Sequence, residues 1–243
     1  MLIINADDWG GCREATDAAL ACFKRGRITS VTAMVFMEDS ERAANLANTT
    51  GIDVGLHLNF TQDFTGGEWS PLLSEYQARV RRFLIVSKYS AVLYHPLLRR
   101  EFRHLVQAQV EEFQRLYGKP PSHVDGHQHK HLCTNVLLDN LIPQGQKVRR
   151  SFTFYPGEKS LANRSYRYLV DKWIARRYCL TDFFFSLRET LRANSVASVV
   201  ELAKRASVEL MTHPRVFIER DFLMSDAFLQ MVGDEELGTY ARL

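Results

Sequence analysis

Four of the chain's eight histidines lie within nine residues, in the segment HVDGHQHKH from His123 to His131. The segment follows a Gly-Lys-Pro-Pro turn, and Asp125, His127, His129 and His131 occupy alternate positions in it. If the segment is a strand, these four side chains leave the same face and can converge on one point. Imidazole is the commonest metal ligand in proteins, so the pattern indicates a metal site, although an exposed polar loop would also explain it.

Two further polar motifs accompany apolar segments of strand type. In NADD, Asp7 and Asp8 follow the apolar run LIIN, and in GLHLN the imidazole of His57 lies within an otherwise apolar strand. Adjacent carboxylates raise each other's pKa unless a cation or a donor lies beside them, so a metal ion near one of them would stabilise the pair. The alternatives are an aspartate that caps the next helix and a histidine that is satisfied within the core.

An aspartate and two histidines from three strands would suit Zn²⁺ and other divalent ions, and three protein ligands leave coordination positions open for water. Such an open site is typical of catalysis, since structural zinc is normally closed by four protein ligands. His213 ends the last apolar segment in the motif MTHP. Its imidazole is a candidate proton donor, and an ordinary loop histidine is the alternative.

The composition excludes several classes of protein. A length of 243 residues, with 46% hydrophobic and 24% charged residues, is typical of a globular protein with a sizeable core. A net charge of +3, with arginine pairs scattered along the chain, does not favour a nucleic-acid partner. The four cysteines form no disulfide or zinc-finger pattern, so we expect reduced thiols in a cytoplasmic protein. We expect neither an export signal nor a membrane span, and the sequence leaves a homodimer open.

Strand-like apolar segments alternate with helical patterns along the chain. About seven strands are expected, near residues 2–5, 30–37, 53–60, 123–131, 147–151, 182–187 and 207–213. This alternation predicts a single α/β domain, residues 1–243, with a parallel sheet. An open doubly wound sheet and a barrel both gather sites at the carboxyl ends of strands. We favour a distorted TIM-like (β/α) barrel, because polar groups from so many strands meet more readily around a barrel mouth. Residues 61–99 break the rhythm and predict an insertion that covers the site.

Taken together, NADDWG, GLHLN, HVDGHQH and ELMTHP resemble the motifs of the YdjC/ChbG-like carbohydrate deacetylases, in the same order and over nearly the whole chain. The resemblance implies a distorted β/α barrel that holds one divalent metal ion, Zn²⁺ or Mg²⁺, and removes acetyl groups from N-acetylated sugars. It also implies a role for five residues. Asp8, His57 and His127 would be the metal ligands, Asp7 the catalytic base and His213 the catalytic acid. His129 is the alternative to His127, because in a strand both can face one way.

The expected substrate is an N-acetylated saccharide or glycolipid. We assign substrate binding to Asp125, His129, Arg149, Trp69 and Tyr155, and the two aromatic residues would stack on sugar rings. Two other functions stay open. The Asp-Asp pair, with Arg149 and Arg150 as a phosphate clamp, would suit a metal-dependent phosphoesterase, which usually holds two metal ions about 4 Å apart. A non-catalytic sugar-binding barrel would hold the metal without releasing acetate.

Overall fold

Six parallel strands form one sheet in the computed structural model, which describes residues 1–67, 69–87, 89–154, 160–233 and 237–243. The strands are β1 (Leu2–Trp9), β2 (Ser30–Ala33), β3 (Asp53–Leu58), β4 (Val124–Gly126), β5 (Phe183–Ser186) and β6 (Val208–Thr212), arranged in the order β4-β3-β2-β1-β6-β5. The interior strand β1 is covered on both faces, and Leu2, Ile3 and Ile4 have no exposed surface. This double burial explains why the strand begins as an uninterrupted apolar run.

The sheet curls, and residues 147–153 link its two edge strands. Val148 forms a bridge with Val124 of β4, and Lys147 forms one with Cys179. The amide of Thr153 donates to the carbonyl oxygen of Phe184 in β5 at 2.9 Å. Single bridges therefore replace the strand that the sequence predicts at 147–151. The single α/β domain is compatible with a distorted barrel, but the described residues contain six strands and not about seven.

Within the described residues, ten α-helices connect and cover the strands. They are α1 (Arg13–Lys24), α2 (Ser40–Thr50), α3 (Pro71–Val86), α4 (Arg99–Tyr117), α5 (Thr134–Leu138), α6 (Leu161–Ile174), α7 (Leu187–Arg192), α8 (Val196–Ala203), α9 (Phe217–Met224) and α10 (Asp226–Val232). Helices α2 and α4 are followed by Gly51 and Gly118, whose φ angles are 71° and 65°. Glycine adopts this left-handed conformation without a steric penalty, so it ends both helices.

A 16-residue helix, α3, occupies much of the stretch that the sequence predicts as an insertion at 61–99. Pro71 stands in its first turn, where the missing amide hydrogen costs nothing, and the Ser70 hydroxyl caps the helix. Two 3₁₀ turns follow, at Ser90–Val92 and Pro96–Leu98. Helix α3 packs against α4. That the whole stretch covers the site stays a prediction.

The histidine segment is a strand only at its start, and this corrects the predicted alternation. Strand β4 ends at Gly126, and His127–Leu132 forms a 3₁₀ turn. Gln128 and His129 have φ angles of 52° and 57°, which place both in the left-handed region. The side chains that follow His127 are therefore not held in strand alternation. His129 packs against aromatic rings, and His131 is buried with its Nε2 3.0 Å from the carbonyl oxygen of Arg149.

No helix in the described ranges is both long and apolar enough to cross a bilayer. The four cysteines, which the sequence predicts as thiols, are all free. Burial raises the pKa of Cys22 to about 11 and that of Cys133 to about 12, so both are protonated at neutral pH.

Candidate active site

The end of β1 turns sharply and brings two consecutive carboxylates to one place. Asp8 has a left-handed φ of 65°, and the pairing of β1 with β2 shifts register between Ala6 and Trp9. Neighbouring side chains in a regular strand point to opposite faces, and such an irregularity removes that alternation. The side chain of Asp7 is 3% exposed and that of Asp8 is 29% exposed. Both carboxylates lie close enough to His57 to raise its pKa by their charge.

Asp8, His57 and His127 form a cluster with the geometry of a three-ligand metal site. The Oδ1 atom of Asp8 lies 3.4 Å from Nε2 of His57 and 3.2 Å from Nδ1 of His127. One ligand atom of each residue lies within 4.8 Å of the other two. Ligands about 2.1 Å from a tetrahedral zinc ion lie about 3.4 Å apart. One carboxylate and two imidazoles at these distances therefore fit a divalent ion and leave coordination positions free.

The register of β3 and β4 orients His57. In this parallel pair, His57 lies opposite Asp125, and its Nδ1 donates to Oδ1 of Asp125 at 2.7 Å. This bond leaves Nε2 of His57 free to face Asp8, in the way that a carboxylate commonly orients a metal-binding histidine. Burial lowers the pKa of His57, but the charges of Asp125, Asp7 and Asp8 raise it to about 9. The cluster therefore has an excess of negative charge that a cation would neutralise.

A fully buried arginine lies beside this cluster and binds three carboxylates. The guanidinium of Arg149 donates to both oxygens of Asp7 at 2.7 Å, lies 2.6 Å from Oδ2 of Asp125, and donates through Nε to Glu209 at 2.8 Å. Burial raises the pKa of Asp7 and Asp125, but the positive charge of Arg149, the charge of His57 and the hydrogen bonds together outweigh it, and the pKa of each is lowered. Both carboxylates are therefore ionised at neutral pH.

The far side of this network ends at the C-terminal segment of the chain. Burial raises the pKa of Glu209 to about 7 in spite of the nearby Arg149. The other oxygen of Glu209 accepts a hydrogen bond from the hydroxyl of Tyr240, and the Tyr240 ring stacks on His123 with ring centroids 3.7 Å apart. Gly55 permits this stack, because a Cβ atom there would lie 2.5 Å from the His123 ring. The buried network around Arg149 thus extends from Asp7 to Tyr240.

His213 follows β6, which flanks β1 on the side away from β3 and its His57. Ala6 of β1 pairs with Thr212 of β6, so His213 follows its strand at the level at which Asp7 continues β1. The charge of His213 lowers the pKa of both Asp7 and Asp8, which places its imidazole near both carboxylates. Its backbone amide donates to Oε2 of Glu219 at 2.8 Å, which fixes the turn after β6.

A cavity of about 800 Å³ opens beside His213. Residues 152–154, the ends of β5 and β6, and helix α7 supply most of its wall, together with Arg167 of α6. Asp8, His57 and His127 do not line this cavity within the described part of the chain. The cluster is identified by its chemistry and the cavity by its size. His213 connects them, since it lines the cavity and its charge lowers the pKa of Asp7 and Asp8.

The structure places the predicted substrate-binding residues in three kinds of environment. Asp125 and Arg149 have no exposed surface and bind other side chains, so direct contact with a substrate does not fit their burial. Trp69 packs against Phe36 and Phe64, away from the lining of the cavity. Tyr155 lies outside the described residues.

His129 belongs to an aromatic cluster at the edge of the cavity. Its ring centroid lies 4.4 Å from that of Phe152, which lines the cavity, and 5.7 Å from that of Phe184. Burial holds the pKa of His129 well below its usual value, so this imidazole is neutral. His129 does not belong to the candidate metal group of the described residues.

Glu209 and Tyr240 are parts of the site that the sequence analysis does not identify. Glu209 is visible as the one charged residue of the strand VELMT, all of which is buried. A carboxylate in a strand buried on both faces needs a partner, and that requirement signals the buried arginine. Tyr240 has no comparable signal, because its bond to Glu209 depends on the path of the last residues back to the sheet.

Comparisons with known proteins agree with this geometry. The family described as YdjC-like protein matches residues 1–239. The carbohydrate deacetylase of Mus musculus is 32% identical over 164 residues, which are 67% of this chain and 52% of that protein. The chitooligosaccharide deacetylase of Yersinia pestis (strain Pestoides F) is 28% identical over 240 residues, covering 93% of this chain and 85% of that protein. The chain thus spans about half the length of the mouse protein and most of the Yersinia protein.

A solved structure has the same fold. It is a candidate cellobiose-phosphate cleavage protein from Enterococcus faecalis V583, with a TM-score of 0.67 and 19% sequence identity, and the match covers 99% of this chain and 97% of that one. At this identity the likeness shows the fold alone.

Proposed function

Because the chain belongs to the YdjC-like protein family, we propose that it is a metal-dependent carbohydrate deacetylase that releases acetate from an N-acetylated sugar. The relatives that are named carbohydrate deacetylase and chitooligosaccharide deacetylase support the predicted hydrolysis of an N-acetyl amide bond. One observation carries the proposal. A carboxylate and two imidazoles with metal-ligand spacing lie next to a second, ionised carboxylate, Asp7, whose pKa the nearby His213 also lowers.

Asp8, His57 and His127 would hold the divalent ion, Zn²⁺ or Mg²⁺, since their donor atoms converge and Asp125 already orients His57. When bound, the ion supplies Lewis-acid chemistry that acidifies water and polarises a carbonyl group. Asp125 and Arg149 then have positioning roles in place of the predicted substrate contacts. Arg149 fixes the Asp7 carboxylate by two hydrogen bonds, and Asn5 and Thr32 also donate to Oδ1. The second lone pair of Oδ2 would then accept the proton.

In the proposed reaction, water adds to the acetyl carbon and the carbon–nitrogen bond breaks. Asp7 accepts a proton from the attacking water as general base, and His213 donates a proton to the departing nitrogen as general acid. Acetate and a free amine result. Asp7 and His213 follow paired residues of two parallel strands, and this proximity supports a base and an acid that act on the same amide group. The neighbouring cavity, with its aromatic wall, offers room for the rest of the saccharide.

The structure gives less support to a phosphoesterase. A second candidate metal group, Asp7, His57 and Asp125, shares His57 with the first. The guanidinium of Arg149 already binds both carboxylates of that group, so it takes the place of a second cation. The predicted phosphate clamp is also absent from the described residues, because Arg149 is buried and Arg150 pairs with Asp171 at 2.8 Å.

Acetate release from a panel of N-acetylated saccharides and glycolipids tests the proposal. We expect release from at least one member, loss of release after chelation, and recovery with Zn²⁺ or Mg²⁺. An aryl phosphate in the same assay tests the phosphoesterase, and metal binding without any release would favour a non-catalytic sugar-binding barrel. The sugar, the identity of the metal and the cytoplasmic location stay predictions.

A further inference from the structure

The segment from Arg82 to Arg103 has an unusually apolar exposed surface. It includes the end of α3, both 3₁₀ turns and the start of α4. Seven of its apolar side chains are between 37% and 79% exposed, namely Ile85, Val86, Tyr89, Val92, Leu93, Tyr94 and Leu97. Scattered exposed apolar residues are normal in proteins, but a run of this density marks an interaction surface.

The charge on this segment has one sign. Residues 76–100 contain no aspartate or glutamate. Arg82, Arg100 and Arg103 are exposed, and none forms an ion pair with a described residue. Glu101 is 4% exposed and pairs with Arg79, so its charge does not offset the arginines at the surface. The segment therefore combines apolar side chains, two tyrosines and uncompensated positive charge.

The segment is anchored at the end of the sheet where the candidate site lies. The hydroxyl of Thr134 donates to the carbonyl oxygen of Ala91, and the side chain of Asn135 bonds to both the amide and the carbonyl of His95. Thr134 and Asn135 begin α5, directly after the turn that carries His127. The apolar surface is thus tied to the chain that leaves the carboxyl end of β4, where His127 of the candidate site lies.

We propose that residues 82–103 dock the protein onto an anionic lipid bilayer. Apolar and aromatic side chains flanked by arginines are the pattern of surfaces that lie in a membrane interface, and anionic headgroups complement the unpaired cations. A second copy of the chain fits less well. Two copies related by a two-fold axis would bring both sets of uncompensated arginines into one interface, with no exposed carboxylate among the segment's described residues to balance them. Docking here does not depend on the proposed deacetylase activity.

Vesicle flotation with the full chain tests this proposal. We expect binding to vesicles of phosphatidylcholine and phosphatidylglycerol, weak binding to phosphatidylcholine alone, and release at high salt. The double variant Leu93→Ser, Leu97→Ser should lower the partition constant at least ten-fold, because two apolar anchors are lost. The triple variant Arg82→Gln, Arg100→Gln, Arg103→Gln should lower it about a hundred-fold, since each cation near an anionic surface contributes about five-fold.

Two variants elsewhere are matched controls. Arg115 lies at the far end of α4 and pairs with Glu112, and Leu229 is 49% exposed on α10. Arg115→Gln and Leu229→Ser should bind vesicles as the wild type does. Several results would overturn the proposal: no preference for anionic vesicles, equal losses in the controls, or light scattering that shows a dimer which the leucine variants convert to monomers. Acetate release from a water-soluble substrate should be the same in every variant, so this test and that of the proposed function fail separately.

Discussion

Replacing Arg149 with methionine tests whether the ion pairs of Arg149 with Asp7, Asp125 and Glu209 stabilise the fold. Methionine keeps a long apolar side chain but removes the guanidinium that binds Asp7, Asp125 and Glu209 at 2.6 to 2.8 Å. All four residues are buried, so water cannot replace the lost hydrogen bonds. Removing one partner of a buried ion pair typically costs about 3–5 kcal/mol, because the other charge is left uncompensated.

The unfolding free energy that Arg149→Met loses should grow with pH. In the wild type, Arg149 lowers the pKa of Asp7 and Asp125, so their ionised forms stabilise the fold above about pH 4 and this stability is lost in acid. Without the arginine, burial is opposed by fewer groups, chiefly His57, so both pKa values rise relative to those in the wild type. The variant therefore loses more stability at neutral pH, where both carboxylates are ionised, than in acid. We expect a loss of at least about 4 kcal/mol at pH 7.5, which is a large part of a typical 5–15 kcal/mol.

Urea unfolding followed by circular dichroism at pH 5 and pH 7.5 measures this difference. Arg150→Met is the matched control, because Arg150 forms a partly exposed pair with Asp171 and its loss should cost about 1 kcal/mol at both pH values. The reasoning is refuted if Arg149→Met costs less than about 1 kcal/mol, or if its cost equals that of the control and does not change with pH.

Three further predictions concern single side chains. Asp7→Asn should keep the metal and lower kcat by about 10² to 10⁴-fold, whereas Asp8→Asn should lose metal affinity. Metal analysis and kinetics on the folded variants measure both effects. The reverse pattern would show that the roles of the two residues are exchanged. His213→Ala should slow cleavage of an acetamide far more than that of an activated aryl acetate, whose phenolate leaves without a proton; equal losses on both would remove His213 as the acid. Burial lowers the pKa of His123 to about 3, so the unfolded chain binds its proton near pH 6.5 and the folded chain does not. The unfolding free energy should therefore fall as pH drops from 6.5 towards 3, and His123→Gln should reduce that slope by about one proton; an unchanged slope would contradict the assignment.

The sequence carries the parts of the site that depend on local pattern. The apolar run of β1 followed by Asp7 and Asp8, and His57 late in β3, lie where alternating strands and helices place them. The resemblance to the YdjC/ChbG-like family is confirmed by the match over residues 1–239. The contact between His57 and Asp125 was not predicted, because it requires the register of β3 against β4, and single strands do not reveal their register.

The errors arise where the backbone leaves regular structure. The alternation from Asp125 to His131 predicts a strand, but left-handed backbone at Gln128 and His129 makes a turn. Neither residue is glycine, so the sequence has no local signal for it. The burial of Arg149 is a separate case, because it becomes apparent only when Asp7, Asp125 and Glu209 are assembled around it, and its contact with substrate stays a prediction.

Titration of the chelator-stripped protein with Zn²⁺ or Mg²⁺, while acetate release is followed, tests the central claim most directly. The account predicts that stripped protein is inactive, that activity rises in proportion to added metal and reaches its plateau at one ion per chain, and that His57→Ala and His127→Ala do not reach it although they remain folded. Full activity in the stripped protein, or a wild-type plateau at one ion per chain in either variant, would contradict the assignment of Asp8, His57 and His127 as the catalytic metal site.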